Sequence, residues 1–397
     1  MLRKKDMAAK ALRIIHIAKY FPPDPGGMEY FVRDLAYEQA RIGHEVVVLA
    51  HAGQTSPGMV TPIERLTVQR HRVWFKAGRG YAPLAPGLLI KAGTLSGEFK
   101  SDLIHLHCPN PVGMVLRTPE SAPLILHWHS DVIFPENRAP ASWQVKLWRF
   151  FERHLLKRST AIITTSPHYA ETSQALRNYL DKVRVAPLGL PPEPKAPDKK
   201  HSGSASAWLA SKPIGSRLLT IGRLSHYKGL SVLLEAMVDL RQAALCIIGE
   251  GEERARLEEM RSRLGLNDRI FFAGQVAESE RECCLSLADV FCLPSLDRTE
   301  AFGLVLLEAM RVGKICLATS VLGSGMSYAL DGGRAGVLVE PGRAEPLAEA
   351  IARLLGDPGL RSGLAKAGRD RFISNFTIGL VAERIDEIYR ESLGHGL

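Results

Sequence analysis

The chain has no apolar run approaching the roughly 18 consecutive residues that a membrane-spanning helix needs. Its start, Met1-Leu2-Arg3-Lys4-Lys5-Asp6, lacks an apolar signal-peptide core, which predicts a protein that stays in the cytoplasm. The six cysteines (Cys108, Cys246, Cys283, Cys284, Cys292 and Cys316) form no CxxC pair and mostly lie inside apolar runs, where a thiol behaves as a small hydrophobe. Neither structural zinc nor a disulfide framework is indicated. There is no HExxH and no DxD sequence, and no zinc-finger, helix-turn-helix or RNP-like pattern supports nucleic-acid binding.

What remains is an ordinary soluble composition. Hydrophobic residues make 46% of the chain and charged residues 23%, which excludes global disorder and fibrous repeats. A length of 397 residues predicts two or three domains. The net charge of +9 is unevenly placed: residues 1–190 hold 25 Lys+Arg against 15 Asp+Glu, leaving 26 against 27 of the chain's 51 and 42 for the rest. Such asymmetry predicts that only the first half faces an anionic partner.

Short apolar runs alternate with helix-length segments throughout, the pattern of βαβ units and parallel sheets. The first half carries strand signals near 12–18, 46–51, 68–73, 103–107, 124–129, 162–165 and 183–186. From Pro187 to Pro213 the composition turns to Pro, Lys, Ser and Gly, which reads as an exposed interdomain connection. A second series follows near 218–221, 245–248, 270–272, 290–293, 315–318 and 337–339, then helices over 344–355, 358–374 and 378–393, with Asp357 as the N-cap of the second. The expected architecture is α/β: two facing Rossmann-like, doubly wound domains. Their expected boundaries are 1–190, a connection over 191–213, 214–376, and a terminal helix over 377–397 that can cross back to the first domain. Ligands of such folds bind at the carboxyl ends of the strands.

The richest motif is Ser295-Leu-Asp-Arg-Thr-Glu300-Ala-Phe302-Gly303-Leu-Val-Leu-Leu-Glu308. It follows a strand and enters a helix, placing Glu300 in the loop and Glu308 among apolar neighbours, where a merely solvated carboxylate is out of place. Gly222-Arg223-Leu-Ser-His-Tyr-Lys228-Gly229 leaves another strand end with two cations between glycines, an arrangement suited to a pyrophosphate. Gly26 and Gly27 open a helix after the first strand, where backbone N–H groups favour an anion. By contrast, Gly249-Glu250-Gly251-Glu252 puts carboxylates where a dinucleotide's pyrophosphate would sit, which argues against NAD.

Two HxH pairs, His105/His107 and His127/His129, end neighbouring strand signals. Residues two apart on a strand share a face, so a metal site, structural histidines and a substrate-contacting His129 all compete as readings. In the helix over 141–158, Trp143, Leu147, Phe151 and Leu155 recur on one face, with Lys146, Arg149, Arg153 and Lys157 on another. Either this stripe faces the core, or the helix binds an anionic membrane surface.

Taken in order, these motifs, together with His129-Ser-Asp131, Thr165-Ser-Pro167, Pro187-Leu-Gly189 and the Gly336 to Gly342 segment, resemble the retaining glycosyltransferases of GT-B fold. The resemblance is to the family-four, or group 1, type and is similar to enzymes that build bacterial surface polysaccharides. It implies that Glu300 holds donor sugar hydroxyls and Glu308 the nucleotide ribose, with Phe302 and Gly303 in the same donor loop. Arg223 and Lys228 would neutralise the departing diphosphate, Gly26 and Gly27 would offer it backbone N–H groups, and His129 would touch the transferred sugar. The implied reaction moves a hexose of mannose or glucose type from a GDP- or UDP-sugar to a lipid-linked or saccharide acceptor. It needs no cofactor and, with no DxD, no metal. A peripheral site on the inner face of the plasma membrane is the matching location. The rivals are a nucleotide-sugar epimerase or hydrolase of the same fold and a non-catalytic nucleic-acid-binding protein.

Overall fold

The computed structural model describes residues 10–77, 82–114, 116, 122–134, 143–194 and 203–394. The chain divides into two compact units: Met1–Thr164, Asn178–Ala186 and Ala382–Leu397 form unit 1, and Thr165–Arg177 with Pro187–Val381 form unit 2.

Unit 1 runs β1 (Arg13–Ile17), α1 (Gly27–Arg41), β2 (Glu45–Ala52), β3 (Gly58–Ile63), β4 (Leu66–Arg72), β5 (Phe75–Ala77), β6 (Ala82–Leu84), α2 (Pro86–Glu98), β7 (Leu103–Cys108), β8 (Leu124–Trp128), α3 (Trp143–Arg158) and β9 (Ala161–Thr164). After α4 (Pro167–Thr172), which belongs to unit 2, β10 (Val183–Val185) returns to the unit 1 sheet. The sheet order is β10-β9-β8-β7-β1-β2-β4-β3, parallel except where β3 pairs antiparallel with β4. The central strands are buried on both faces, which explains their continuous apolar runs. The sequence pattern misses β3 because it is an exposed edge strand carrying Gly58 and Pro62, with no face to bury.

Unit 2 runs α5 (Ser204–Ala210), β11 (Arg217–Ile221), α6 (Leu230–Asp239), β12 (Ala244–Ile248), α7 (Arg254–Arg263), β13 (Ile270–Gly274), α8 (Glu278–Leu287), β14 (Val290–Leu293), α9 (Leu304–Arg311), β15 (Ile315–Thr319), α10 (Met326–Ala329), β16 (Val337–Val339), α11 (Ala344–Gly356) and α12 (Pro358–Asn375). Its strands form one parallel sheet in the order β13-β12-β11-β14-β15-β16. The order reverses beside β11, so the β11 and β14 carboxyl ends flank a topological switch point, where open α/β sheets bind ligands. Asp357 caps α12, accepting from the Leu360 N–H at 2.8 Å. The last helix, α13 (Ile378–Ser392), begins in unit 2 and ends in unit 1.

Two expectations are corrected. The segment 191–213 is not open connection throughout: residues 195–202 lie outside the described residues, but α5 packs on unit 2 with Ala205 and Leu209 buried. The Glu280 carboxylate accepts from the Ala205 N–H at 2.9 Å, and Trp208 stacks on Phe271. In α3, the apolar stripe does not face the core along its length. Trp143 is 70% exposed and Phe150 59%, whereas Val145, Glu152, Leu155 and Leu156 are buried. Positions 141 and 142 of that expected helix lie outside the described residues.

Candidate active site

At the β11 carboxyl end, Gly222 and Arg223 lead into a single helical turn, His226–Lys228, and Gly229 then opens α6. Gly229 has φ +65°, and a Cβ there would lie 2.0 Å from the Pro294 carbonyl oxygen, so only glycine lets this turn lie against the end of β14. The Leu296 N–H donates to the Tyr227 carbonyl at 2.7 Å, fixing the two loops together. Through this contact Lys228 and Glu300 meet, although 72 residues separate them: Lys228 Nζ donates to Glu300 Oε2. Each side chain is 11% exposed. Ser295 Oγ donates to the same carboxylate oxygen at 3.3 Å.

The loop bearing Glu300 is held from behind. Ser324 Oγ donates to the Glu300 carbonyl at 2.5 Å, and the Gly325 N–H to the Ala301 carbonyl at 2.7 Å. Phe302 is only 2% exposed, with its ring edge-on to Phe376. It anchors the loop and presents no ring surface to solvent. Gly303, at φ +78°, turns the chain into α9.

Burial disfavours the Lys228 ammonium, but Glu300, Tyr227 and the hydrogen bond to Glu300 outweigh it, so the net shift of Lys228 is upward. Burial raises the Tyr227 phenol, Lys228 lowers it, Glu300 raises it and Arg223 lowers it. One tyrosine thus feels three of the four charged donor-site groups named from the sequence, Lys228, Glu300 and Arg223. Arg223 itself is half-exposed and pairs with Glu252 at 3.1 Å. Glu308, buried on α9, lies 3.3 Å from Arg281 Nε on α8. The Gly249-Glu-Gly251 fragment has a packing role: a Cβ on Gly249 would lie 1.9 Å from the Gly222 carbonyl oxygen, so this glycine lets the Arg223 loop cross the end of β12.

In unit 1, Gly26 precedes α1 and Gly27 is its first residue. Glu29, one turn on, is buried, and burial pushes its carboxyl up to about 7, with a further upward contribution from Asp24 that Lys19 opposes. Asp24 accepts from the Gln54 N–H at 2.6 Å.

His129 follows β8, and the structure gathers both HxH pairs with His16 of β1 into one buried layer, in which only His129 keeps some exposure, 8%. His16 is in register with His105, and His107 with His127. Neighbouring rings stack with centroids 4.2 Å apart for His127 and His129 and 4.4 Å for His105 and His107. Gln39 and Phe31 of α1 and Tyr389 of α13 cover the layer. Burial lowers every one of these histidines, His16 to about 4 and His129 to about 3, so all five rings are neutral near pH 7. Two triplets, His16/His105/His107 and His107/His127/His129, bring ring nitrogens within 4.8 Å of one another. Within these triplets His16 Nδ1 lies 3.0 Å from His107 Nε2, and His107 Nδ1 lies 3.0 Å from His129 Nε2. Asp131 accepts from Trp128 Nε1 at 2.8 Å and so braces the loop after His129.

On α3, Lys146, Arg153 and Lys157 are exposed beside Trp143, Leu147 and Phe150, while Arg149 pairs with Glu152 at 2.8 Å. Among the described residues no helix is long and apolar enough to cross a membrane. Sequence reasoning missed Tyr227, Arg281, Glu29, His16, Gln39 and Tyr389. Of these, only His16 left a signal, as a polar residue inside an apolar strand.

Residues 211–371 match the family described as glycosyl transferases group 1, and residues 26–189 the glycosyl transferase 4-like domain. The chain is 24% identical over 381 residues to the O-antigen chain mannosyltransferase C of Escherichia coli, covering 95% of this chain and 98% of that one. It is 28% identical over 375 residues to the D-rhamnosyltransferase WbpZ of Pseudomonas aeruginosa, covering 92% of each. Anabaena Alr3699/HepE, solved in complex with UDP-glucose, superposes with a TM-score of 0.70 at 20% identity over 96% of this chain and 100% of that one. Two parallel-sheet α/β units, each matched by a glycosyltransferase domain, and a shared fold make this chain a glycosyltransferase of the GT-B fold, of the group 1 type.

Proposed function

We propose that this enzyme transfers a hexose of mannose or glucose type, with retention, from a GDP- or UDP-sugar to a lipid-linked or saccharide acceptor in surface-polysaccharide synthesis. The observation that carries this is the buried Lys228–Glu300 pair at the sheet's switch point, with Arg223 acting on the same Tyr227. A sugar leaves as an oxocarbenium-like species while charge builds on the diphosphate, and a fixed ammonium stabilises that charge with little reorganisation. Lys228 and Arg223 meet this need where a DxD-bound cation is not encoded, so no metal is required. Glu300 and Glu308 accept hydrogen bonds from sugar and ribose hydroxyls, a role that suits acceptor-only carboxylates. Gly26 and Gly27 offer N–H groups to the diphosphate, and His129 contacts the transferred sugar.

The acceptor hydroxyl oxygen bonds to the anomeric carbon on the face from which the C–O bond to diphosphate breaks. A leaving-group oxygen takes the acceptor's proton. No carboxylate nucleophile is needed. The similarity to an O-antigen mannosyltransferase supports a surface-glycan acceptor, and the UDP-glucose complex of a structural neighbour supports a nucleotide-sugar donor.

Attachment of unit 1 to an anionic membrane face is part of the same reading. It is supported by the exposed Trp143 and Phe150 and the exposed Lys146, Arg153 and Lys157 on α3. The test is transfer of tritium from UDP-glucose or GDP-mannose to a lipid-extract acceptor, with and without EDTA. Label in the acceptor, an unchanged anomeric configuration by NMR and turnover insensitive to EDTA are expected. Free sugar or epimerised nucleotide as the sole product overturns transfer, and EDTA loss restored by magnesium overturns the leaving-group assignment.

A further inference from the structure

Five imidazoles occupy a sheet face that parallel strands normally fill with valine and isoleucine, and the hydrogen bonds of His16, His105, His107 and His129 form one directed chain, while His127 stacks in the layer without a hydrogen-bond partner among the described residues. Gln39 Nε2 donates to the Tyr389 hydroxyl at 3.2 Å, so its Oε1 faces His16 Nε2 at 2.7 Å. A carbonyl oxygen only accepts, so His16 carries its proton on Nε2 and leaves Nδ1 bare. That bare nitrogen lies 3.0 Å from His107 Nε2, which must therefore donate. His107 Nδ1 is then bare and lies 3.0 Å from His129 Nε2, which must donate in turn. On the other arm the Tyr389 hydroxyl donates to His105 Nδ1 at 2.5 Å. The chain ends at His129 Nδ1, a bare lone pair that is buried and meets no hydrogen-bond partner among the described residues. A buried acceptor without a donor carries a desolvation penalty that is removed when a donor arrives.

We infer that Gln39, Tyr389, His16 and His107 are positioning residues that hold His129 in its Nε2–H tautomer, keeping Nδ1 as an acceptor for a substrate hydroxyl. This rests on the reading that His129 touches the transferred sugar. The opposite tautomer would present an N–H donor at the same point and would compete for the sugar's oxygen lone pairs instead of its hydroxyl proton. Neutral, stacked and covered by α1 and α13, the rings transmit hydrogen-bond polarity without carrying charge. Such chains polarise each member cooperatively. The terminal helix thereby enters the site's chemistry, because Tyr389 orients the Gln39 amide that sets the direction of the whole series.

The experiment uses the full chain labelled with 15N-histidine and long-range 1H–15N correlation spectra near pH 7, with His129 assigned by its loss in His129→Ala. In the wild type His129 is expected to be protonated at Nε2 and bare at Nδ1. Gln39→Met, which keeps side-chain length but removes the acceptor, is expected to mix the two tautomers of His129 and lower kcat about tenfold, with the affinities for UDP and GDP unchanged. Gln39→Glu keeps an acceptor facing His16, and is expected to retain the His129 tautomer and at least half of the wild-type kcat. A wild-type His129 protonated at Nδ1 overturns the proposal. So do an unaltered tautomer and kcat in Gln39→Met, or stoichiometric zinc in the purified protein with metal-shifted imidazole nitrogens. Should the tautomer be as stated while His129→Ala turns over at the wild-type rate, the relay stands and the sugar contact of His129 fails.

Discussion

Replacing Lys228 by Met removes the ammonium facing Glu300 while keeping most of the side-chain volume. With each partner 11% exposed, the carboxylate left behind has, among the described residues, the Ser295 hydroxyl at 3.3 Å as its remaining close donor. Removing one member of a fully buried pair costs about 3–5 kcal/mol, and partial exposure with the serine contact brings the expectation to about 2–3 kcal/mol. For a unit of this size that lowers Tm by roughly 4–12 °C. The sign with pH follows from the upward shift of Lys228. A raised lysine stabilises fully below its unfolded value of about 10.4 and loses that contribution as pH climbs through the folded value, so the whole penalty is present at pH 7. Glu300→Gln added to Lys228→Met removes the orphaned charge and should recover about 1–2 kcal/mol, giving a clear coupling in a double-mutant cycle. Function follows a different rule: kcat/KM should fall by about a hundredfold or more, or about 3 kcal/mol, in the single and the double variant alike. The assays are chemical denaturation of the four proteins and steady-state transfer kinetics. A coupling below about 0.5 kcal/mol refutes the buried pair, and a folded Lys228→Met enzyme with wild-type turnover refutes its role on the diphosphate.

Glu308→Ala should weaken binding of UDP or GDP about tenfold by calorimetry while leaving Tm within a few degrees, since it removes an acceptor for ribose along with the partner of Arg281. Glu29→Gln should stabilise the protein by about 2–3 kcal/mol at pH 8 and by almost nothing at pH 4.5. Because the folded carboxyl is raised to about 7, stability is lost as pH rises from the unfolded value through that point; equal Tm gains at both pH values would exclude this cause. Changing Lys146, Arg149, Arg153 and Lys157 to Gln should abolish sedimentation with anionic liposomes and leave transfer to a soluble acceptor intact, whereas equal recovery on neutral and anionic vesicles would refute membrane docking.

Strands that are buried on both faces were legible because they must be apolar from end to end, and each strand signal in the second half corresponds to an observed strand. Periodicity failed where burial is one-sided or absent. The exposed edge strand β3 left no alternation to read, and α5 was hidden in a Ser-rich stretch whose small residues suit close packing on α8 as well as they suit a loop. In α3, spacing alone gave a stripe from Trp143 to Leu155. The buried positions instead follow Val145, Glu152, Leu155 and Leu156, because the side facing the sheet is set by the neighbouring elements and not by the helix's own period.

Within the site, the sequence identified residue types by chemical need but could not supply partners far along the chain. Lys228 and Glu300 were both singled out, yet their pairing depends on Gly229 allowing backbone contact with Pro294, a relation between two loops that no local spacing encodes. The same logic accounts for the Gly249 fragment, whose glycine serves the neighbouring loop's path and not a ligand of its own. The histidines carry the argument furthest. Each HxH pair, taken alone, suggests a metal or a solitary contact. Only the sheet order β8-β7-β1 brings His16 beside His105 and His107 beside His127, and only α1 and α13 supply the amide and phenol that give the array its direction. A tautomer is a property of that whole arrangement, so the chemistry of His129 is set by residues up to 260 positions away in sequence, at Tyr389.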